Sequence, residues 1–314
     1  MWHGGSDVIV FNKTENITDD FQGAFVTVGN FDGVHLSHQF ICRKLAEEAK
    51  EAGSKSMVIT FDPHPKMILH PDIRPFYLIT TLEERLKLLE ECQLDAAMVI
   101  PFTLDYSRTT AEQFVHQFLR QKLAIKKIIV GHDYKFGRGK NGNSDYLIAA
   151  GREHNFSVEV IDAFKVGDDI VSSTMIRNLI LEGDVRKASV LLGRWYNVAG
   201  TVESGHGRGE VLGFPTANLK PQKELLPAPG IYAAYVFWRG KRYASAVNVG
   251  AKPTFHDYVD TVEAYLLDFK DNLRGERIDI HFVEKLRNIV KFDNLEELKK
   301  QIEADVEQAR MILL

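Results

Sequence analysis

Short apolar runs recur through the first half of the chain at Ala24–Val28, Ser56–Phe61, Ala96–Ile100, Lys127–Val130 and Phe156–Ile161. Runs this short, bounded by polar or Gly-containing stretches, predict buried strands. Between them apolar residues return at helical spacing: Ile41, Leu45, Ala49 and Ala52, then Leu86 and Leu89, then Phe114, Phe118 and Leu119, then Ile176, Leu179 and Ile180. Thr81 with Glu84 reads as a capping box, and Thr110 with Gln113 opens another helix. Strands alternating with helices predict a parallel, doubly wound α/β sheet.

The pattern changes after Gly183–Gly193. A short helix, Val185–Leu192, leads into strands at Tyr196–Val202, Ile231–Trp238, Tyr243–Val249, Val262–Phe269 and Arg277–Val283, with Arg239–Gly240 as a hairpin turn. Short strands at this spacing predict a small β-barrel. Asp293, with Glu296 three later, is expected to cap a final helix. Leu295, Leu298, Ile302 and Val306 would be its apolar stripe, covering an open edge or end of the barrel. The domains divide on this reading into residues 1–186 and 187–314.

A chain of 314 residues accommodates two such cores. Its net charge of −4 argues against nucleic acid as a partner. No apolar run is long enough to span a bilayer, and residues 1–11 show neither a basic nor an apolar leader segment. Cys42 and Cys92 are far apart, fall in predicted helices and read as buried free thiols. A cytoplasmic location is expected. The sequence leaves the oligomeric state open.

The chemistry concentrates at loops. Gly29–Gln39, GNFDGVHLSHQ, joins the first strand to the first helix. Gly29 and Gly33 allow close backbone approach. His35 and His38, three apart at a helix N-terminus that already favours anions, can donate to phosphate oxygens. The second strand runs into Asp62–Pro65, DPHP, which places Pro63, His64 and Pro65 at the ligand end of an open sheet. The fourth ends in Gly131–Gly139, GHDYKFGRG, where Tyr134 and Phe136 either stack on a flat ligand or pack into the core. Ser172–Arg177, SSTMIR, opens a helix that Ser173 or Thr174 can cap. Arg177 in its first turn implies a nearby anion. In the second half Gly205, Gly209 and Gly213 precede GFPTAN, where Thr216 and Asn218 offer hard oxygens that suit Mg²⁺.

GNFDGVHLSH, TFDPHP, GHDYKFG and SSTMIR, in this order, resemble the prokaryotic bifunctional riboflavin kinase/FAD synthetase family. GxxxGxxxGFPTAN, VNVGAKPTF and VEAYLLDF resemble its kinase domain. The resemblance implies an α/β nucleotidyltransferase-like domain followed by a β-barrel kinase domain with a terminal helix. It assigns Gly29, Asn30, Phe31, Asp32, Gly33, Ser173 and Thr174 to ATP, and Phe61, Pro63, His64, Pro65, Asp133 and Phe136 to the ATP/flavin site. His35 and His38 would stabilise the α-phosphate as FMN attacks, with Arg177 holding the pyrophosphate. In the kinase domain it implies Gly205, Gly209, Gly213, Pro215 and Arg287 as nucleotide or flavin contacts. Thr216 and Asn218 would be Mg–ATP ligands and Glu263 the general base. The implied reactions convert riboflavin to FMN and FMN to FAD, each with ATP.

Three positions depart from the family pattern. Ser37 stands where Gly separates the histidines and would cap the helix or crowd the nucleotide. Asn272–Gly275, NLRG, replaces DLYG, and Tyr265 replaces a frequent His. The latter two are read as flanking the flavin. The competing readings are a nucleotidyltransferase for another phosphate, which has no use for GFPTAN, and a non-catalytic flavin sensor in which Ser37 and Arg274 mark decayed sites.

Overall fold

The computed structural model describes residues 8–70, 76–204, 212–253 and 258–314. Contacts divide the chain into two compact units: the residues up to Phe76 with Thr80–Ser172, and Tyr77–Ile79 with Ser173–Leu314. The change of pattern instead puts the division at 186/187. The contact boundary falls earlier because α6 (Ser173–Glu182) packs on α7 (Val185–Leu192), and α7 on barrel strands.

The first unit is a six-stranded parallel sheet. Its strands are β1 (Ile9–Phe11), β2 (Phe25–Val28), β3 (Ser56–Asp62), β4 (Ala96–Pro101), β5 (Lys127–Gly131) and β6 (Ser157–Ile161), in the order β1-β4-β3-β2-β5-β6. β1 had no sequence signal: it is three residues long and two are exposed. Helices cover both faces, so successive strand residues serve opposite cores. Val26 and Val28 pack with Phe114, Phe118 and Leu147, whereas Phe25 and Val58 pack with Leu45 and Leu89. The helices include α1 (Leu36–Glu51), α2 (Pro65–Leu69), α3 (Leu82–Glu90), α4 (Ala111–Gln113) and α5 (Ser144–His154). α4 continues as a π-helix over Phe114–Lys122. The Thr81–Glu84 capping box forms, and the helix that Thr110 and Gln113 open begins with a capping box as well. Cys42 lies in α1, but Cys92 falls just past the end of α3; both are buried and free. A hydrogen bond with Cys92, together with burial, pushes the Cys42 thiol well up.

The chain lays β3 and β4 on one side of β2, then returns to place β5 on its other side. The order of winding reverses between β2 and β5. The carboxyl ends of those strands are where an open α/β sheet forms its ligand crevice.

A short antiparallel pair, β7 (Lys165–Val166) and β8 (Asp169–Ile170), follows the sheet in the first unit. The second unit is a closed antiparallel barrel. β9 (Tyr196–Glu203), β10 (Ala217–Pro221), β11 (Gly230–Trp238), β12 (Lys241–Pro253), β13 (Tyr258–Leu266) and β14 (Arg277–Arg287) close in the order β10-β13-β12-β11-β14-β9. Arg239 and Gly240 both have positive φ, the backbone of a tight hairpin turn. β10, which carries Asn218, was not anticipated as a strand, because Pro215 and a Gly-rich approach mask its short pattern. The barrel is closed, so α8 (Leu295–Leu313) does not cover an open edge. It packs on the outside, with Ala309 and Leu313 against Ala233, Ala244 and Ala246. Asn294, not Asp293, caps α8, accepting from Glu297 N at 2.9 Å. Leu295 falls outside the apolar stripe: it is 67% exposed.

Candidate active sites

In the first unit the loop after β2 is held in a strained shape. Phe31, Gly33 and Val34 have φ of 50°, 85° and 36°. Glycine adopts this region freely, but a β-branched residue such as Val34 does so only when its surroundings enforce it. They do. The buried Asp32 carboxylate accepts from Thr80 N at 3.1 Å and Thr80 Oγ1 at 3.3 Å, and Gly33 N donates to Thr80 Oγ1 at 3.0 Å. Phe31 is buried with its ring against His38, centroids 4.9 Å apart.

His35 caps α1: its Nδ1 accepts from His38 N at 3.4 Å. That bond leaves the neutral ring's proton on Nε2. The cap is therefore not Ser37, which lies inside the helix. The His35 and His38 rings stack with centroids 3.6 Å apart. Burial, reinforced by His35 and the Arg85 guanidinium, holds the His38 imidazole well below its usual value, so it is neutral at pH 7. Its Nδ1 is enclosed with no hydrogen-bond partner among the described residues.

Beside this loop a cavity of about 710 Å³ opens between the ends of β2, β3 and β5. It gathers Gly29, Asn30, Phe61, His64, Pro65, Asp133 and Phe136 of the sequence candidates. Phe102, Tyr106, Phe114 and Tyr134 complete an aromatic wall, and Lys66, Lys135 and Lys140 add positive charge. Phe136 both stacks on Tyr134, centroids 5.4 Å apart, and reaches the core through Phe114. Burial pushes the Tyr106 hydroxyl up to about 12, so it stays protonated. Pro63 sits in the turn before α2, which His64 caps through Nδ1 at 3.1 Å from Lys66 N. Gly137 and Gly142 are required here: a Cβ on either would stand 2.6 Å from Ala111 N or the Phe136 ring.

Ser173 and Thr174 are the first two residues of α6, not the residue before it. Arg177 is buried, and its Nε donates to the Tyr77 carbonyl at 2.6 Å. These three belong to the second unit by contacts, whereas His35 and His38 belong to the first.

In the barrel two cavities share Thr216 and Asn218. One, about 410 Å³, is largely apolar, with Phe214, Ile231, Val247, Tyr265 and Phe292 in its walls and Glu263 and Asn248 among its few polar groups. Leu298, Ile302 and Val306 of α8 also face it. The other, about 470 Å³, is polar and is lined by Pro215 and Lys270–Arg274. The NLRG departure thus borders the polar cavity, not the apolar one, whereas Tyr265 lines the apolar cavity against Phe214, centroids 5.3 Å apart. Glu263 is in register with Asn218 on one side and Asn248 on the other. Arg287 also lines the apolar cavity, but Asp305 of α8 grips it through two bonds of 2.8 and 2.6 Å. Gly213, with φ 87°, is exposed; Gly205 and Gly209 lie outside the described residues.

Two family models tile the chain: FAD synthetase over residues 17–175 and riboflavin kinase over 192–313. A bifunctional riboflavin kinase/FMN adenylyltransferase from Haemophilus influenzae is 34% identical over 92% of this chain and 94% of its own length. The protein of that name from Escherichia coli K12 is 34% identical over 92% of each chain, and that from Listeria monocytogenes 33% over 91% of each. The chain belongs to this family. A solved structure titled a macrolide-efflux protein, from Streptococcus pneumoniae, matches 97% of this chain and 99% of that one, with TM-score 0.87 and 29% identity. Among the described residues no helix is long and apolar enough to cross a membrane.

Two residues escaped the sequence reading of this riboflavin kinase/FMN adenylyltransferase family member. Arg85 is 2% exposed beneath the first loop. It donates to the Asn30 carbonyl at 2.8 Å, Thr60 Oγ1 at 3.4 Å and Asp62 Oδ1 at 3.3 Å, tying the His loop to the DPHP turn. The available signal was a cation one residue past the Thr81–Glu84 box, where α3 turns its apolar face inward. Asn248 was overlooked because a lone Asn in a strand carries no chemistry until its cross-strand neighbour is known.

Proposed function

We propose that the barrel phosphorylates riboflavin to FMN with Mg–ATP, and that the α/β unit transfers AMP from a second ATP to FMN, giving FAD and pyrophosphate. The observation that carries this reading is the meeting of an apolar and a polar cavity at Thr216 and Asn218, with Glu263 in register beside Asn218. The apolar cavity suits a flavin ring and the polar one a nucleotide. Glu263 takes the proton of the flavin 5′-hydroxyl as its oxygen attacks the γ-phosphorus, and ADP leaves. Thr216 and Asn218 offer hard oxygens for Mg²⁺, which when bound offsets the phosphate charge. Among the described residues no cluster of three or more His, Cys, Asp or Glu offers another metal site.

In the α/β unit an FMN phosphate oxygen attacks the α-phosphorus of ATP. His35 and His38 stabilise the charge that develops there, and the aromatic-walled cavity takes ring systems. Residues 1–186 serve adenylyl transfer and 187–314 phosphorylation, so Ser173, Thr174 and Arg177 are assigned to the former, as holders of pyrophosphate. The partners are ATP, riboflavin and FMN, not nucleic acid or membrane, and the location is the cytoplasm.

The test is to incubate the purified protein with riboflavin, ATP and Mg²⁺ and resolve the three flavins over time. FMN followed by FAD is expected. FMN alone would remove the adenylyl-transfer assignment, and neither product, with FMN supplied separately as a control, would overturn the reading.

A further inference from the structure

Four residues form a row across the barrel wall. Ile231 on β11 is in register with Asn248 on β12, Asn248 with Glu263 on β13, and Glu263 with Asn218 on β10. Side chains paired in this way project to the same face, and all four line the apolar cavity. Neighbouring strands lie about 4.8 Å apart, so the row grades from apolar to polar in steps of that size. Asn248 occupies the step between the apolar wall and Glu263. Its Oδ1 is enclosed and has no hydrogen-bond partner among the described residues. Buried acceptors are rarely left unmatched in a folded protein without a reason.

We infer that Asn248 is a specificity-determining residue that reads a secondary hydroxyl of the ribityl chain, next to the primary hydroxyl that Glu263 deprotonates. The inference rests on the kinase function proposed above. The order of the row matches the order of chemistry along riboflavin: ring, secondary hydroxyls, reacting hydroxyl, incoming phosphate. A hydroxyl both donates and accepts, so it can meet either end of the Asn248 amide. The soft side-chain torsion of Asn lets the amide turn toward it. A flavin with a plain alkyl chain would leave the amide unmatched, and discrimination by unpaired buried polar groups is large.

The experiment compares kcat/KM for riboflavin with that for an analogue whose side chain is an unbranched ω-hydroxypentyl group, which keeps the reacting hydroxyl and lacks the others. The wild type should prefer riboflavin by on the order of 10²-fold or more. Asn248→Ala should shrink that ratio by about tenfold, through poorer use of riboflavin, with the analogue's rate changed less than about twofold. An equal loss on both substrates, or an unchanged ratio, would overturn the assignment and leave Asn248 a structural residue. Where the Ala variant does not fold, Asn248→Ser replaces it; a severalfold smaller ratio is expected, and an unchanged one overturns the assignment. A wild-type protein that phosphorylates neither flavin would instead break the kinase reading itself, before any substitution is made.

Discussion

The two sites solve related problems with different materials. In the α/β unit the candidate residues sit on a strained loop and a helix start, and their two imidazoles are stacked and His38 is neutral. In the barrel they sit on strands, as side chains aligned by register around one carboxylate. The nucleophiles explain the contrast. A phosphate such as that of FMN is already anionic near neutral pH, so adenylyl transfer needs donors for the transition state and no base. A hydroxyl nucleophile must lose a proton, and on the proposed reading Glu263 is the group that takes it. One site is organised by backbone and capping, the other by cross-strand pairing.

The sharpest way to break this contrast is Glu263→Gln. It should lower FMN formation roughly 10²–10⁴-fold and spare FAD formation from supplied FMN. Equal loss of both activities would abolish the distinction. His38→Ala should reverse the pattern, with FAD formation down by about 10²–10³-fold, the usual worth of one preorganised donor. A collapse of FMN formation in that variant would make His38 structural.

Arg85→Met tests whether the loop's shape matters. Freed from Arg85, the Asn30 carbonyl should drift, and FAD formation should fall by up to about 10²-fold while FMN formation holds. Unchanged FAD synthesis would show that the Asp32–Thr80 bonds alone hold the loop.

His38 also predicts a pH effect on stability. Its folded pKa is depressed, so below about 6.5 the unfolded chain takes up a proton that the folded chain refuses. Wild-type stability therefore drops as pH falls through that value, until the lower folded pKa is reached. In thermal melts at pH 7.5 and 5.5 the drop should be smaller in His38→Ala than in the wild type; an equal drop would contradict a neutral, buried His38. The smallest effect concerns α8. Asn294→Ala should cost about 1 kcal/mol in denaturant unfolding, and Asp293→Ala should cost almost nothing.

Much of this was legible in advance for specific reasons. The strands β2 to β6 announced themselves as apolar runs, Thr81 as a capping box and Thr110 as a helix start, because those signals are local. The Gly, His and Pro motifs marked the carboxyl ends of β2, β3 and β5, since tight turns and caps restrict residue choice. Errors arose where two local solutions compete. Asp293 and Asn294 are both acceptable caps, and only the packing of α8 selects one. Cys92 continues a helical pattern that the turn at Gln93, with φ 62°, ends.

The sequence by itself determined the two architectures and the motifs, and it named the candidate acid–base and donor groups, because periodicity and turn chemistry are written residue by residue. Tertiary structure alone decided what depends on distant segments meeting. It buried Arg85 under a loop more than fifty positions away, as its bond to Asn30 shows, and enclosed His38 so that its imidazole is neutral. It engaged Arg287 with Asp305, and it set Asn248, Glu263 and Asn218 in one row. Register and burial are properties of the closed barrel and the folded sheet, and no local pattern encodes them.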